Sequence, residues 1–90
     1  MLHVVAYDVV SDRRLYRVAK ICEDYGVRIE KSVFECDLEE GEFERFWDRL
    51  GKVVADVDSV IDYPIAQSFR SKIRTLGASR HEMPTETLVF

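Results

Sequence analysis

Nine residues near the start of the chain, Leu2 to Val10, read Leu-His-Val-Val-Ala-Tyr-Asp-Val-Val, a run that is almost wholly apolar and rich in β-branched side chains. Successive residues of a strand point to opposite faces of its sheet. A run that is apolar at both parities therefore describes a strand covered on both sides. The rest of the chain offers only two helical patterns with which to cover it. The first has Leu15, Val18, Ala19, Cys22 and Tyr25 on one stripe, and predicts a helix over residues 12 to 25, opened by Asp12 and stopped by Gly26. The second has Phe43, Phe46, Trp47, Leu50 and Val54 at helical spacing with acids between them, and predicts a helix over about residues 40 to 54. These aromatic residues are expected to pack in the core rather than to form a base-stacking platform.

Between and after the helices, Val27 to Cys36 alternates apolar and polar residues and reads as one strand. Val57 to Ile65 reads as another, closed by Pro64. Lys72 to Leu76 predicts a short fourth strand ended by Gly77. Ala78 to Thr85 reads as a loop, and Glu86 to Phe90 as a further strand. The expected order along the chain is β-α-β-α-β-β. The fold class is α+β, a ferredoxin-like sandwich with both helices on one face of the sheet. The sheet's other face would then expose a larger apolar patch than a monomer carries, so a homodimer with its open faces stacked is expected. The last five residues are expected as an additional edge strand beside the partner's sheet. Ninety residues make one domain, with residues 1–77 as its core and 78–90 as a C-terminal loop and strand.

Charge narrows the function classes. The chain has a net charge of −4 and a pI near 5.1, unlike a protein that coats nucleic acid without selectivity. Its charges are segregated, however. Residues 13 to 31 hold six basic residues against three acids, residues 35 to 48 hold seven acids against one arginine, and residues 63 to 81 hold four basic residues and no acid. Such blocks are either solvated faces or docking surfaces. No apolar run reaches the ~20 residues of a membrane span, so no membrane partner is expected. The opening residues lack the pattern of a signal peptide, and a cytoplasmic location is expected. Cys22 and Cys36 match no zinc or redox spacing and are expected as reduced, half-buried thiols, with no disulfide and no zinc. His3 is expected as a strand histidine with a satisfied ring, and His81 as a solvated loop residue.

Asp8 is the anomaly in the first strand. A carboxylate among Val4, Val5, Ala6, Val9 and Val10 is either a strand-end acceptor of backbone hydrogen bonds or a metal ligand. One carboxylate makes a poor metal site, but a two-fold axis near this strand would bring two copies together, enough for Mg²⁺ with water and phosphate oxygens.

Five segments resemble the CRISPR-associated Cas two family in order and spacing over residues 2 to 77. They are Tyr7-Asp8-Val9 at the end of the first strand, Arg13-Arg14 with Arg17-Val18-Ala19-Lys20, Tyr25-Gly26, Lys31-Ser32-Val33-Phe34-Glu35, and Asp58-Ser59-Val60-Ile61-Asp62-Tyr63-Pro64-Ile65. The resemblance implies a ferredoxin-like homodimer that joins the Cas one integrase in acquiring spacers, in a family described as Mg²⁺-dependent endonucleases acting on RNA or double-stranded DNA. It also implies that Asp8 is the metal and catalytic residue, and that basic residues of the first helix and second strand approach the nucleic-acid backbone. Arg13, Arg14, Arg17 and Arg28 are the nucleic-acid-binding candidates, since the planar guanidinium suits phosphate. Val9-Val10-Ser11-Asp12 holds one acid where that family usually has two, which ranks a DNA-binding scaffold ahead of intrinsic cleavage.

Overall fold

The computed structural model describes residues 1–77. Strand β1 (Leu2–Asp8) leads into helix α1 (Asp12–Tyr25), strands β2 (Val27–Glu30) and β3 (Val33–Asp37), helix α2 (Glu40–Gly51) and strand β4 (Ser59–Ile65), followed by a 3₁₀ helix (Gln67–Lys72). The strands form one antiparallel sheet in the order β2-β3-β1-β4, the ferredoxin-like α+β arrangement. Lying at the centre, β1 has both edges occupied, with Leu2 opposite Asp37 on β3 and Ile65 on β4.

The element order along the chain departs from expectation in two places. Val27 to Cys36 is a hairpin rather than a single strand, broken at Lys31 and Ser32. The polar run Glu30-Lys31-Ser32 interrupts the alternation at the turn, but it contains no Gly, Pro, Asn or Asp to announce a hairpin. The hairpin supplies the sheet's fourth strand, and Lys72 to Leu76 forms none. Residues 67–72 wind instead into the 3₁₀ helix, which Arg70 ties to Asp37 through a 2.9 Å Nη1 to Oδ2 hydrogen bond. The expected loop from Ala78 to Thr85, His81 within it, and the edge strand from Glu86 to Phe90 lie outside the described residues.

One helix boundary is set by a residue other than the one expected. Ser11, not Asp12, caps α1, its Oγ accepting from the Arg14 N–H at 3.3 Å, while Asp12 lies in the first turn. Gly26 does follow α1, but its backbone is extended at φ −162° and ψ −168°. A glycine is needed there for space: a Cβ would stand 2.5 Å from Cys36 Sγ and closer still to the Glu35 carbonyl oxygen. Helix α2 begins with a capping box between Glu39 and Glu42.

The core lies between one sheet face and the two helices. Val5, Tyr7, Phe34 and Cys36 meet Val18, Ile21 and Cys22 of α1 and Phe46 and Leu50 of α2. Phe46 is fully buried and packs on Tyr25, with ring centroids 4.9 Å apart. Phe43 stacks between Trp47 and His3 at 5.5 and 4.0 Å, while Trp47 remains 36% exposed. The His3 ring is satisfied, with Nδ1 2.8 Å from Asp62 Oδ1. Cys22 and Cys36, expected half-buried, are fully buried and joined by no disulfide, and burial pushes the Cys22 thiol up to about 12. On the opposite sheet face, strand register places Val4, Ala6, Val33, Ile61 and Tyr63 together. Ile61 and Tyr63 are 45% and 52% exposed.

Candidate functional site

The site begins where β1 ends. Asp8 is the strand's last residue, opposite Ser59, and it is exposed. Alternation from Val4 and Ala6 puts it at the margin of the apolar face that the helices leave open. Tyr7 points the other way, 6% exposed, with its ring 6.2 Å from that of Phe34. Burial raises its hydroxyl pKa, while the nearby Arg28 works in the opposite sense.

The loop that follows Asp8 is held by a second carboxylate, Asp58. Its Oδ1 accepts from the backbone N–H of Val10 at 3.0 Å and from Arg14 Nη2 at 3.1 Å. Its Oδ2 accepts from Arg14 Nε at 2.7 Å and from the backbone N–H of Ala55 at 2.8 Å. The Asp58 side chain is fully enclosed, and the Arg14 hydrogen bonds, reinforced by the two backbone donors, hold its carboxyl well below the usual carboxylate range. One side chain thus ties the β1–α1 loop, the first turn of α1 and the approach to β4 into a single unit. In the sequence Asp58 stands out only as the first residue of a family-like segment; its partners Arg14 and Val10 lie 44 and 48 positions away.

The four candidate arginines divide accordingly. Arg14 is spent on Asp58 in a two-point ion pair. Arg28 lies over the Phe34 ring at 4.9 Å, donates to the Lys31 carbonyl and stands 3.7 Å from Glu23. Arg13 and Arg17 are exposed on α1 and have no ion pair among the described residues. Arg28 also lines a cleft of about 340 Å³ between α1 and the β2–β3 turn, together with Tyr7, Asp12, Tyr16 and Lys31. No group of three or more His, Cys, Asp or Glu side chains able to hold a metal occurs among the described residues. Among the described residues Asp8 therefore stands as a single carboxylate, fewer ligands than a divalent cation requires.

Residues 1–73 match the family model described as CRISPR associated protein Cas2. The chain belongs to the Cas2 family. A CRISPR-associated endoribonuclease Cas2 of Chloroflexus aurantiacus is 34% identical over 79 residues, covering 86% of this chain and 85% of the relative. Another, from Nitratidesulfovibrio vulgaris, is 33% identical over 96 residues, covering 100% and 94%. Among solved structures, Cas2 of Streptococcus pyogenes superposes with a TM-score of 0.75 at 36% identity, covering 86% of this chain and all of that one. A hypothetical protein of Thermus thermophilus gives 0.77 at 33% identity, covering 88% and 93%. No helix among the described residues is long and apolar enough to cross a membrane.

Proposed function

We propose that this Cas2-family chain works as a homodimeric scaffold that binds double-stranded DNA together with the Cas one integrase during spacer acquisition. The observation that carries the reading is a contrast at one end of the molecule. Among the described residues, Arg13 and Arg17 stand exposed without an ion pair on α1, whereas the candidate catalytic carboxylate, Asp8, has no metal-binding cluster around it. Within those residues, groups that bind phosphate are available and a set that cleaves it is not. The open face bearing Val4, Ala6, Ile61 and Tyr63 supports self-association, since burying such surface is favourable by about 25 cal/mol per Å². Each protomer then presents the same basic α1 surface. With the chain at −4, binding alone should be weak and strongly dependent on salt.

A second reading, a Mg²⁺-dependent endonuclease acting on RNA or DNA, draws on the position of Asp8 at the margin of that same open face and on the names of the relatives. Two chains stacked there can bring two Asp8 carboxylates together. Those carboxylates would hold Mg²⁺, which when bound neutralises phosphodiester charge and lowers the pKa of bound water. Asp58 contributes indirectly, by fixing the loop behind Asp8.

Asp8→Ala decides between the readings. In the scaffold reading the purified wild-type dimer shows no Mg²⁺-dependent cleavage, and spacer acquisition in cells survives the substitution. Acquisition lost while fold and dimer persist would overturn it. Arg13→Ala with Arg17→Ala should abolish DNA binding by the assembled complex, and intact binding would remove the α1 surface from the account.

A further inference from the structure

Away from Asp8, between α1 and the C-terminal end of α2, lies a groove of about 390 Å³. Its apolar floor is Ile21 and Val53. Arg17 and Lys20 project from α1 and Arg49 and Lys52 from the far side, with the exposed ring of Tyr16 at the rim. Four cations gathered in a chain of net charge −4 are not a property of its average surface.

Their ion pairs show how much charge is available to a ligand. Arg49 is held in place, with Nη1 3.1 Å from Asp24 Oδ2 and the guanidinium 5.5 Å from the Tyr25 ring centroid. Lys20 lies 3.6 Å from Glu23 and 5.7 Å from the Tyr16 ring centroid. Arg17 and Lys52 have no ion pair among the described residues. Four cations against two paired acids leave two positive charges, the complement of one phosphate group, which carries about −1.5 to −2 at neutral pH. The exposed Glu40, Glu44 and Asp48 on α2 disfavour a polyanion continuing along that helix, so the anion should be compact. The volume is at the lower end of the roughly 300–1,000 Å³ typical of small-ligand sites. Tyr16, 65% exposed, offers a ring on which a planar base can stack.

We infer that this groove binds a nucleotide, with its phosphates held by Arg17 and Lys52 between Lys20 and Arg49 and its base against Tyr16. The same chemistry is presented by a free nucleotide and by the 5′-phosphorylated end of a strand. The inference goes beyond the proposed scaffold or nuclease role and shares only Arg17 with it.

The test is calorimetric titration of the full chain at low salt with ATP, adenosine, pyrophosphate, and trinucleotides bearing either a 5′-phosphate or a 5′-hydroxyl. ATP should bind about tenfold more tightly than adenosine or pyrophosphate, and Lys52→Glu and Tyr16→Ala should each weaken it by about tenfold or more. Both substitutions are at exposed positions, and thermal melts establish that the variants fold. Preference for the 5′-phosphorylated over the 5′-hydroxyl trinucleotide assigns the site to strand ends; ATP binding without that preference assigns it to free nucleotides. ATP failing to bind at about 5 mM, or Lys52→Glu leaving its affinity unchanged, overturns the inference. So does a glutamate-rich hexapeptide that binds as tightly as ATP, which would mark an acidic-peptide site. Asp8→Asn should leave ATP affinity unchanged, so loss of cleavage or of DNA binding elsewhere cannot be mistaken for failure here.

Discussion

Replacing Gly26 by alanine tests the packing between α1 and the β2–β3 hairpin. The backbone at Gly26 is extended and available to any residue, so the substitution carries no conformational penalty and its cost is steric. An added Cβ would lie 2.5 Å from Cys36 Sγ and 3.0 Å from the Glu35 carbonyl carbon, with the carbonyl oxygen nearer than either. Two of these atoms belong to β3 backbone, and Cys36 is fully buried, so no flexible side-chain tip can yield. Overpacking of this kind costs about 2–3 kcal/mol, against about 0.5–1 kcal/mol gained because alanine restricts the unfolded chain. The net loss should be about 1–2.5 kcal/mol. For a domain of this size that lowers Tm by roughly 4–20 °C. Gly51 is the matched control: it ends α2 with no atom within 4 Å of where a methyl group would stand, and alanine there should stabilise by about 0.5 kcal/mol. Both variants are compared with wild type by calorimetry and urea unfolding. A Gly26→Ala protein melting within about 3 °C of wild type would refute the steric argument.

Asp58→Asn should destabilise the fold at neutral pH and flatten its acid dependence. The folded carboxyl is depressed relative to the unfolded one, so its stabilisation is fully present above the unfolded pKa of about 4 and is lost as pH falls toward the folded value. Urea midpoints from pH 7 down to pH 2 that fall in parallel for wild type and variant would contradict this. Cys22, its thiol raised to about 12 by burial, should resist a thiol reagent at pH 8 until the fold opens; labelling at the rate of an exposed cysteine would count against its burial. Ile61→Glu with Tyr63→Glu places charge on the open sheet face and should reduce the particle to the 10.5 kDa chain in light scattering. Persistence at twice that mass would move the dimer interface elsewhere.

Local pattern was the legible part of this fold. The apolar stripe from Leu15 to Tyr25 predicts the bounds Asp12–Tyr25, and the helical spacing of Phe43, Phe46, Trp47 and Leu50 places the start of α2 near Glu40, though the helix ends at Gly51 rather than near Val54. The hairpin escapes because its two-residue turn, Lys31 and Ser32, carries none of the Gly, Pro, Asn or Asp residues that mark a tight turn. Asp8 is conspicuous as a carboxylate in an apolar strand. The commitment of Arg14 is invisible, because Arg14 and Arg17 look equivalent on the helix until a carboxylate 44 positions beyond Arg14 claims only one of them. Gly26 is legible as a helix stop, but the reason for a glycine lies in β3, which has no local signature at position 26.

The central place of β1 has a consequence for how the protein is made. It is made before the other strands of its sheet, and its outer neighbour β4 follows much later, with Leu2 waiting for Ile65. At synthesis rates of about 5–20 residues per second, the 63 intervening steps take roughly 3–13 seconds. Throughout that interval the most apolar segment of the chain has at least one edge of unpaired N–H and C=O groups, the template on which strands of other chains assemble. The strand that organises the finished sheet is thus the nascent chain's chief aggregation hazard, and the demand on chaperones falls on its first ten residues.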